Sequence, residues 1–335
     1  SKVLLPKHLT PEQEKLVYKL DSQAKLEAEP IEITLGDVTL PLEHIDRNAL
    51  PPRWKTFRQI VNLSQTTEDW ENVLRMLEGF ENARIAVKPW VQAMVVRKMN
   101  LAGMHHLLLK AIQRPRATGI RLSNREVLVQ LLRAVHDKAS MADWAQDDTA
   151  KALRLAQQAV ELMEDEEHCG GQMRGEMTSG DDWRGEPVVV ALPTEMAAVL
   201  ADRYGVHGDE VAKLANRLVN AMKQRDYMTH LDTMAQRAAT TPPDFPNGSH
   251  QELFVKDYGS QLLQLTITWN ALKTSRKVLG ADMPMAQEAQ QYEARNEEVL
   301  MQGLDALERL SVMKDGKPFV STFIEYVKNN VKKCR

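Results

Sequence analysis

The stretch WVQAMVVRKMNLAGMHHLLLKAIQRPRATGIRLSN, residues 90–124, contains two helical patterns separated by a turn. Apolar residues recur every three or four positions in each half, as expected for two helices that each bury one face. Ala102-Gly103 separates the halves, and glycine readily adopts the left-handed backbone that ends a helix. The stretch therefore predicts a helical hairpin of 35 residues.

The same pattern recurs on both sides of this hairpin. When residues 55–89 are shifted by 35 positions, seven apolar residues fall on apolar residues, among them Leu77 on Ile112. A third copy begins at Arg125, and an insertion delays its second helix to residues 149–163. One hairpin cannot bury both of its faces, so neighbouring copies must stack. The period predicts an α-solenoid over residues 53–163, with Leu108 buried in its core.

These residues resemble the pentatricopeptide repeat (PPR), and tetratricopeptide-like hairpins have nearly the same period. In the PPR family, an Ala-Gly turn is followed by a Gly-Ile pair sixteen residues after the turn glycine. Here Gly103 and Gly119 are 16 residues apart, and Ile120 follows Gly119. The first copy matches more loosely, with Arg84-Ile85 at its end, and the resemblance covers about a third of the chain. It implies a scaffold of tandem helical hairpins in an organelle RNA-binding protein.

The resemblance also identifies the positions that would read RNA bases, the fifth and the last residue of each repeat. In the second copy these are Met94 and Asn124, and in the first copy they are Gln59 and Pro89. Asn124 fits the family pattern of a small polar residue followed by Asp or Asn, but Met94 and Pro89 depart from it. We therefore expect the scaffold without a literal base-reading code.

A small arm is predicted before the repeats, in residues 1–52. Pro11–Leu26 has the pattern of a polar helix, since Thr10 can cap its start and proline is favoured at the first helical position. Ile31–Leu40 alternates around Gly36-Asp37, which predicts a short β-hairpin. Such an arm is expected to pack along its own domain or along a partner.

The second half of the chain is predicted to be helical, after an acidic, glycine-rich linker at residues 164–186. Residues 161–186 hold nine acidic residues and only two basic ones. A helical C-terminal region, residues 187–335, follows, with no clean 35-residue period. Its helices are predicted at Thr194–Ala201, Asp209–Tyr227, Leu253–Leu279, Met285–Leu310 and Pro318–Val331. The whole chain is therefore predicted to be all-α, apart from the β-hairpin of the arm.

Composition limits the classes of protein. Apolar residues make up 43% of the 335 residues and aromatic residues only 5%, so that leucine, alanine and methionine supply the core and favour helix. The two cysteines cannot form a disulfide framework. No apolar run approaches the ~18 residues of a membrane span. The net charge of −3 argues against a protein that coats nucleic acid over its whole surface.

No motif of catalysis, cofactor binding or metal binding is present. The sequence has no phosphate-binding loop, no GxSxG and no HExxH. His168-Cys169 has no second pair at zinc spacing, and the adjacent His105 and His106 point about 100° apart on a helix. We therefore predict a non-enzymatic protein without catalytic residues, metal, cofactor or small-molecule substrate, and an enzyme on a helical scaffold is the least favoured class.

One segment of the chain has a strongly one-sided charge. Residues 90–124 contain six basic residues and no acidic residue, in a chain whose net charge is −3. A single-signed cluster of this kind favours contact with RNA phosphate or with a strongly acidic partner. The predicted binding residues are Arg97, Lys98, Lys110, Arg114, Arg116 and Arg121.

Taken together, these features and the PPR resemblance predict an RNA- and protein-binding scaffold in mitochondrial gene expression. The expected role is a structural or accessory component of the mitochondrial ribosome in the matrix, in contact with ribosomal RNA and neighbouring mitoribosomal proteins. The alternative is a mitochondrial assembly or translation-activation factor that binds a client protein or an mRNA transiently. The two differ in the lifetime of the association.

Overall fold

The fold is all-α, as the sequence predicts, and is described by a computed structural model. The structure describes residues 9–35, 38–168, 183–206, 208–311 and 321–335. These residues form fifteen α-helices and one pair of short strands. The chain forms two compact units, a first unit of Ser1–Val91 with Arg116–Gly119 and a second unit of Gln92–Pro115 with Ile120–Arg335. None of the described helices is both long and apolar enough to cross a bilayer.

The N-terminal arm has two helices where the sequence predicted one over Pro11–Leu26. Helix α1, Pro11–Tyr18, starts with a capping box in which Thr10 and Gln13 exchange hydrogen bonds. Lys19 then adopts an extended backbone, and α2, Gln23–Ala28, follows a 3-10 turn. The prediction of one continuous helix was wrong. Apolar spacing does not show where the backbone breaks, and here the break lets the apolar faces of two short helices pack into one small core.

That small core belongs to the arm itself. Val17, Leu26 and Leu42 are buried together, and the backbone N–H of Ile45 donates to the carbonyl of Val17 at 2.8 Å. Strands β1, Glu32–Leu35, and β2, Val38–Pro41, pair antiparallel. The predicted turn at Gly36-Asp37 lies outside the described residues.

The first predicted hairpin forms in the first unit as α3, Arg53–Leu63, and α4, Thr67–Asn82. Thr66 caps α4 in a second capping box with Asp69. The two helices meet through aromatic rings, with Phe57 edge-on to Phe80 at 5.4 Å between ring centroids. Burial of both rings is complete, and this packing supplies the core of the hairpin.

The second and third hairpins also form as helices. They comprise α5 (Pro89–Leu101), α6 (His105–Ile112), the short α7 (Pro115–Thr118), α8 (Arg125–Ser140) and α9 (Gln146–Leu162). Gly103 and Gly119 have φ of 70° and 73°, the left-handed backbone expected of the two glycines of the motif. Leu108 is 2% exposed, as predicted.

The C-terminal half is a bundle around one long central helix, α13. Its helices are α10 (Pro187–Tyr204), α11 (Gly208–Gln224), α12 (Tyr227–Ala238), α13 (Gly248–Leu279), α14 (Ala286–Leu310) and α15 (Ser321–Lys333). Helix α13 packs on α10, α14 and α15, and α9 packs on α10. Residues 92–163 and 187–335 therefore share packing in the second unit. The sequence did not predict α12.

Helix α10 corrects the prediction of a helix that starts at Thr194. It begins at Pro187, and Pro193 lies inside it. A proline inside a helix removes one backbone hydrogen bond and costs about 3 kcal/mol or more. The helix tolerates this because residues 191–200 are all buried, and the hydroxyl of Thr194 donates to the carbonyl of Val190 at 2.7 Å.

Candidate nucleic-acid interface

The six predicted binding residues lie along the second hairpin and its exit. Arg97 and Lys98 are on the last turns of α5, Lys110 is on α6, and Arg114 follows α6. Cations near the C-terminal end of a helix are stabilised by the helix dipole. Arg116, on α7, belongs to the first unit, whereas the other five belong to the second unit. The structure therefore describes five of the six within one compact body.

The six basic residues differ in exposure and in ion pairing. Arg97, Lys110 and Arg114 are exposed, and Lys98 is half-buried. Arg121 is partly used by the protein itself, since its Nε lies 3.7 Å from the carboxylate of Glu167. Among the described residues, Lys98 and Lys110 form no ion pair. Lys98 and Lys110 are thus available to meet an external anion, and so is Arg97, which is exposed and likewise forms no ion pair among the described residues.

Arg97 lies close to a second arginine. The pKa of Arg97 is lowered, first by partial burial and then by the charge of Arg133 on α8. Two like charges in a partly desolvated position repel each other, and an anion between them would relieve that repulsion. Arg133 is held in place, because its Nε donates to the hydroxyl of Tyr326 at 2.8 Å and its guanidinium stacks over the same ring.

A partly buried hydrogen-bond network fixes Arg133 to the core. The hydroxyl of Tyr326 donates to one oxygen of Asp137 at 2.5 Å, and Asn100 donates to the other oxygen at 2.9 Å. His105 lies 3.0 Å from the carbonyl oxygen of the Asn100 side chain. The network joins α5, α6, α8 and α15, and it holds His105 against Asn100 between helices.

His168 holds the exit of the second hairpin. Its Nδ1 accepts from the backbone N–H of Leu122 at 3.0 Å, and its Nε2 donates to the carbonyl of Ile112 at 3.0 Å. The side chain is 2% exposed, and burial lowers its pKa. This histidine therefore clamps the loop that carries Arg114 and Arg121. Cys169, which follows His168 in the sequence, lies outside the described residues.

The first unit contributes a separate basic and aromatic pair. The guanidinium of Arg58, on α3, lies 5.4 Å from the ring centroid of Trp90. Trp90 is 43% exposed, which is unusual for so large an apolar ring. Exposed aromatic rings next to arginine are typical of surfaces that stack nucleic-acid bases. Neither Arg58 nor Trp90 belongs to the six binding residues predicted from the sequence.

A buried polar cluster that sequence reasoning missed lies deeper in the second unit. His136, Glu195 and Cys334 bring one potential ligand atom each to within 4.8 Å of one another. His136 Nδ1 lies 2.9 Å from one oxygen of Glu195, and Asn270 donates to the other oxygen at 2.8 Å. No local motif links these residues, because 59 residues separate His136 from Glu195 along the chain.

This cluster is an internal ion pair. Burial by itself lowers the pKa of His136, but the charge of Glu195 together with the hydrogen bonds to Cys334 and Glu195 outweighs it and raises that pKa well above its usual value. Burial raises the pKa of the Cys334 thiol. Structural zinc takes four ligands, whereas this cluster offers three potential donors among the described residues. The cluster therefore stabilises the junction of α8, α10 and α15.

Sequence comparisons identify the family of this chain. Residues 1–319 match the family of the mitochondrial ribosomal protein mS27. Over 236 residues, 69% of this chain, the sequence is 26% identical to the small ribosomal subunit protein mS27 of Neurospora crassa, and the chain covers 60% of the length of that protein. Because the family match extends over nearly the whole chain, this chain belongs to the mitochondrial ribosomal protein mS27 family.

Proposed function

We propose that this chain is a non-enzymatic structural component of the small subunit of the mitochondrial ribosome. The observation that carries the proposal is the family match over residues 1–319. The Neurospora relative is a small ribosomal subunit protein, which supports the choice of subunit. Family membership supports a mitochondrial location, and within the mitochondrion we propose the matrix.

The proposed contact with ribosomal RNA rests on the basic residues of the second hairpin. Phosphate contacts are made mainly by lysine and arginine side chains and need no base-reading code. Lys98 and Lys110 have no ion pair among the described residues, and Arg97 lies beside Arg133. The remaining surface, with a chain net charge of −3, is suited to neighbouring ribosomal proteins.

The PPR-type scaffold is part of the same proposal. Its support is the succession of three helical hairpins and the left-handed backbone of Gly103 and Gly119. Each hairpin supplies a helical surface, and the departures at Met94 and Pro89 fit a protein that binds one fixed partner instead of reading a sequence. Binding by phosphate and shape is sufficient for a subunit with a permanent place in a particle.

Sedimentation of the native protein tests the assignment. A mitochondrial lysate is separated on a sucrose gradient at physiological salt, and the protein is quantified against known small-subunit proteins in each fraction. We expect it to follow the small subunit at one copy per particle, also after magnesium removal separates the subunits. Sedimentation away from ribosomal particles would overturn the proposal, and substoichiometric binding to immature particles would favour the transient assembly factor instead.

A further inference from the structure

The second unit contains a polar cavity that is separate from the six basic residues of the predicted interface. Its volume is about 280 Å³. Charged and aromatic side chains line it, notably Arg125, Arg225, His230, Glu186 and Tyr227. At roughly 30 Å³ per water molecule, the cavity has room for about nine waters, which is more than a lone phosphate group fills. It lies at the small end of the volumes of ligand pockets.

Positive charge is in excess in this cavity. The lining holds two arginines and one carboxylate, and Arg225 Nε lies 3.6 Å from Glu186. Arg125 stacks over the ring of Trp183, at 5.5 Å from the centroid, and forms no ion pair among the described residues. The surroundings of His230 are positive as well. Burial first, and then the charges of Arg125 and Arg237, lower the pKa of His230.

Three helices begin at the wall of the cavity. Arg125, Pro187 and Tyr227 are the first residues of α8, α10 and α12. A helix start carries partial positive charge and N–H groups without helical partners. Within the described residues, no side chain caps α10 or α12. The helix starts therefore add to the positive potential that the arginines create.

Apolar and neutral polar groups complete the lining. Val188 and Leu265 provide apolar surface. The hydroxyls of Tyr227 and Thr268 lie 2.7 Å apart, and Asn296 donates to the Tyr227 oxygen at 3.1 Å. Such a mixed lining suits a ligand that has an anionic end and an uncharged body.

We propose that this cavity binds a single nucleotide, with its phosphate between Arg125 and Arg225 and its sugar or base against Val188 and Leu265. Arginine pairs phosphate oxygens in bidentate hydrogen bonds, and the uncapped start of α12 adds N–H donors for the same oxygens, whereas α10 begins with Pro187, which has no N–H. The nucleotide has two possible sources, a free nucleotide or one nucleotide of an RNA strand.

Calorimetric titration of the full chain tests the proposal at low salt. The probes are adenosine monophosphate, adenosine and inorganic phosphate. We expect adenosine monophosphate to bind at least about tenfold more tightly than adenosine, and inorganic phosphate to compete with it. Arg125→Gln and Arg225→Gln should each weaken the monophosphate by about tenfold or more. Arg217→Gln, an exposed arginine on α11, removes the same charge elsewhere and should leave binding unchanged.

A short single-stranded RNA added as competitor separates the two sources. If the RNA displaces the monophosphate, and Arg125→Gln weakens this competition as well, the site binds a nucleotide of an RNA strand. If the monophosphate binds and the RNA does not compete with it, the site binds a free nucleotide. Equal binding of the monophosphate by wild type and Arg125→Gln, or no binding by wild type, would overturn the proposal. Arg125 is exposed, so this variant is expected to fold, and circular dichroism checks that it does.

Discussion

Two buried histidines of the second unit are in opposite charge states. His168 accepts a backbone N–H at Nδ1 and donates from Nε2, which requires a neutral ring. His136 pairs with the buried carboxylate of Glu195, which favours a charged ring. The same residue type thus clamps a loop in one place and neutralises a buried acid in the other, and the difference is set by the partner.

Removing the His168 ring should destabilise the second unit. His168→Ala leaves the N–H of Leu122 and the carbonyl of Ile112 without partners in a buried site, so we expect the free energy of unfolding to fall by about 2–4 kcal/mol. Urea denaturation followed by circular dichroism measures this. His106→Ala is the matched control, since His106 is exposed and its loss should change stability by less than about 0.5 kcal/mol. Equal effects of the two variants would contradict the clamp.

The two histidines should give stability opposite dependences on pH. The folded pKa of His168 is lowered, so its contribution is complete above the unfolded pKa of about 6.5 and is lost as the pH falls through the folded pKa. The folded pKa of His136 is raised, so its contribution is complete below about pH 6.5 and is lost as the pH rises toward the folded pKa.

Unfolding measured between pH 5 and pH 8.5 checks this for wild type, His168→Gln and His136→Gln. The stability difference between wild type and His168→Gln should grow as the pH rises to about 6.5 and then stay level. The difference between wild type and His136→Gln should be largest at low pH and shrink above about 6.5. Parallel pH profiles of the two differences would show that the assigned charge states are wrong.

The helical hairpins depend on backbone conformation at their turns as much as on apolar spacing. Gly103, between α5 and α6, has φ of 70°, in the left-handed region, and a methyl group added there would meet no atom within 4 Å. Gly208, the first residue of α11, has equally open surroundings and no positive φ. Alanine substitutions at Gly103 and Gly208 therefore distinguish the effect of backbone strain from that of steric crowding.

Gly103→Ala should lower the free energy of unfolding by about 1–2 kcal/mol, because a side chain disfavours the left-handed backbone. Gly208→Ala, in equal space, should be neutral or should stabilise the protein by up to about 1 kcal/mol through reduced freedom of the unfolded chain. Thermal unfolding of both variants provides the comparison. A loss of similar size at both positions would mean that the Gly103 turn does not require a left-handed residue.

For the whole molecule, function depends on an uneven distribution of charge. The chain has a net charge of −3, and yet residues 90–124 hold six basic residues without an acidic one. The basic residues of this segment differ in their ion pairs. Arg121 pairs with Glu167, whereas Lys98 and Lys110 have no ion pair among the described residues. The two lysines are therefore the most informative positions at which to reverse charge.

Lys98→Glu combined with Lys110→Glu should weaken binding to small-subunit ribosomal RNA. Each lost phosphate contact should reduce the slope of log affinity against log salt by about 1, so the double variant should lose about 2. Binding assays over a range of salt concentrations measure the slope. The control, Lys151→Glu with Lys213→Glu, reverses two exposed lysines elsewhere in the second unit and should bind like wild type. An unchanged slope in the test variant would refute phosphate contact at Lys98 and Lys110.

The all-α class and most helices could be predicted from the sequence, because apolar spacing and capping residues are local signals. Thr10 and the burial of Leu108 were predicted from such signals, and the structure agrees at both. The helix start at Thr194 was wrong, since a proline usually marks a helix boundary and only burial on all sides holds Pro193 inside α10.

The contacts between polar residues of different helices could not be predicted from the sequence. His136 and Glu195 come from α8 and α10, and Cys334 follows the end of α15. Arg125, at the start of α8, and Arg225, in the turn between α11 and α12, line one cavity although they are far apart along the chain. Spacing along a helix predicts which residues share a face of that helix, but it contains no information about which helix that face will contact. The partners of charged side chains are therefore a property of packing, and packing is fixed by the whole core at once.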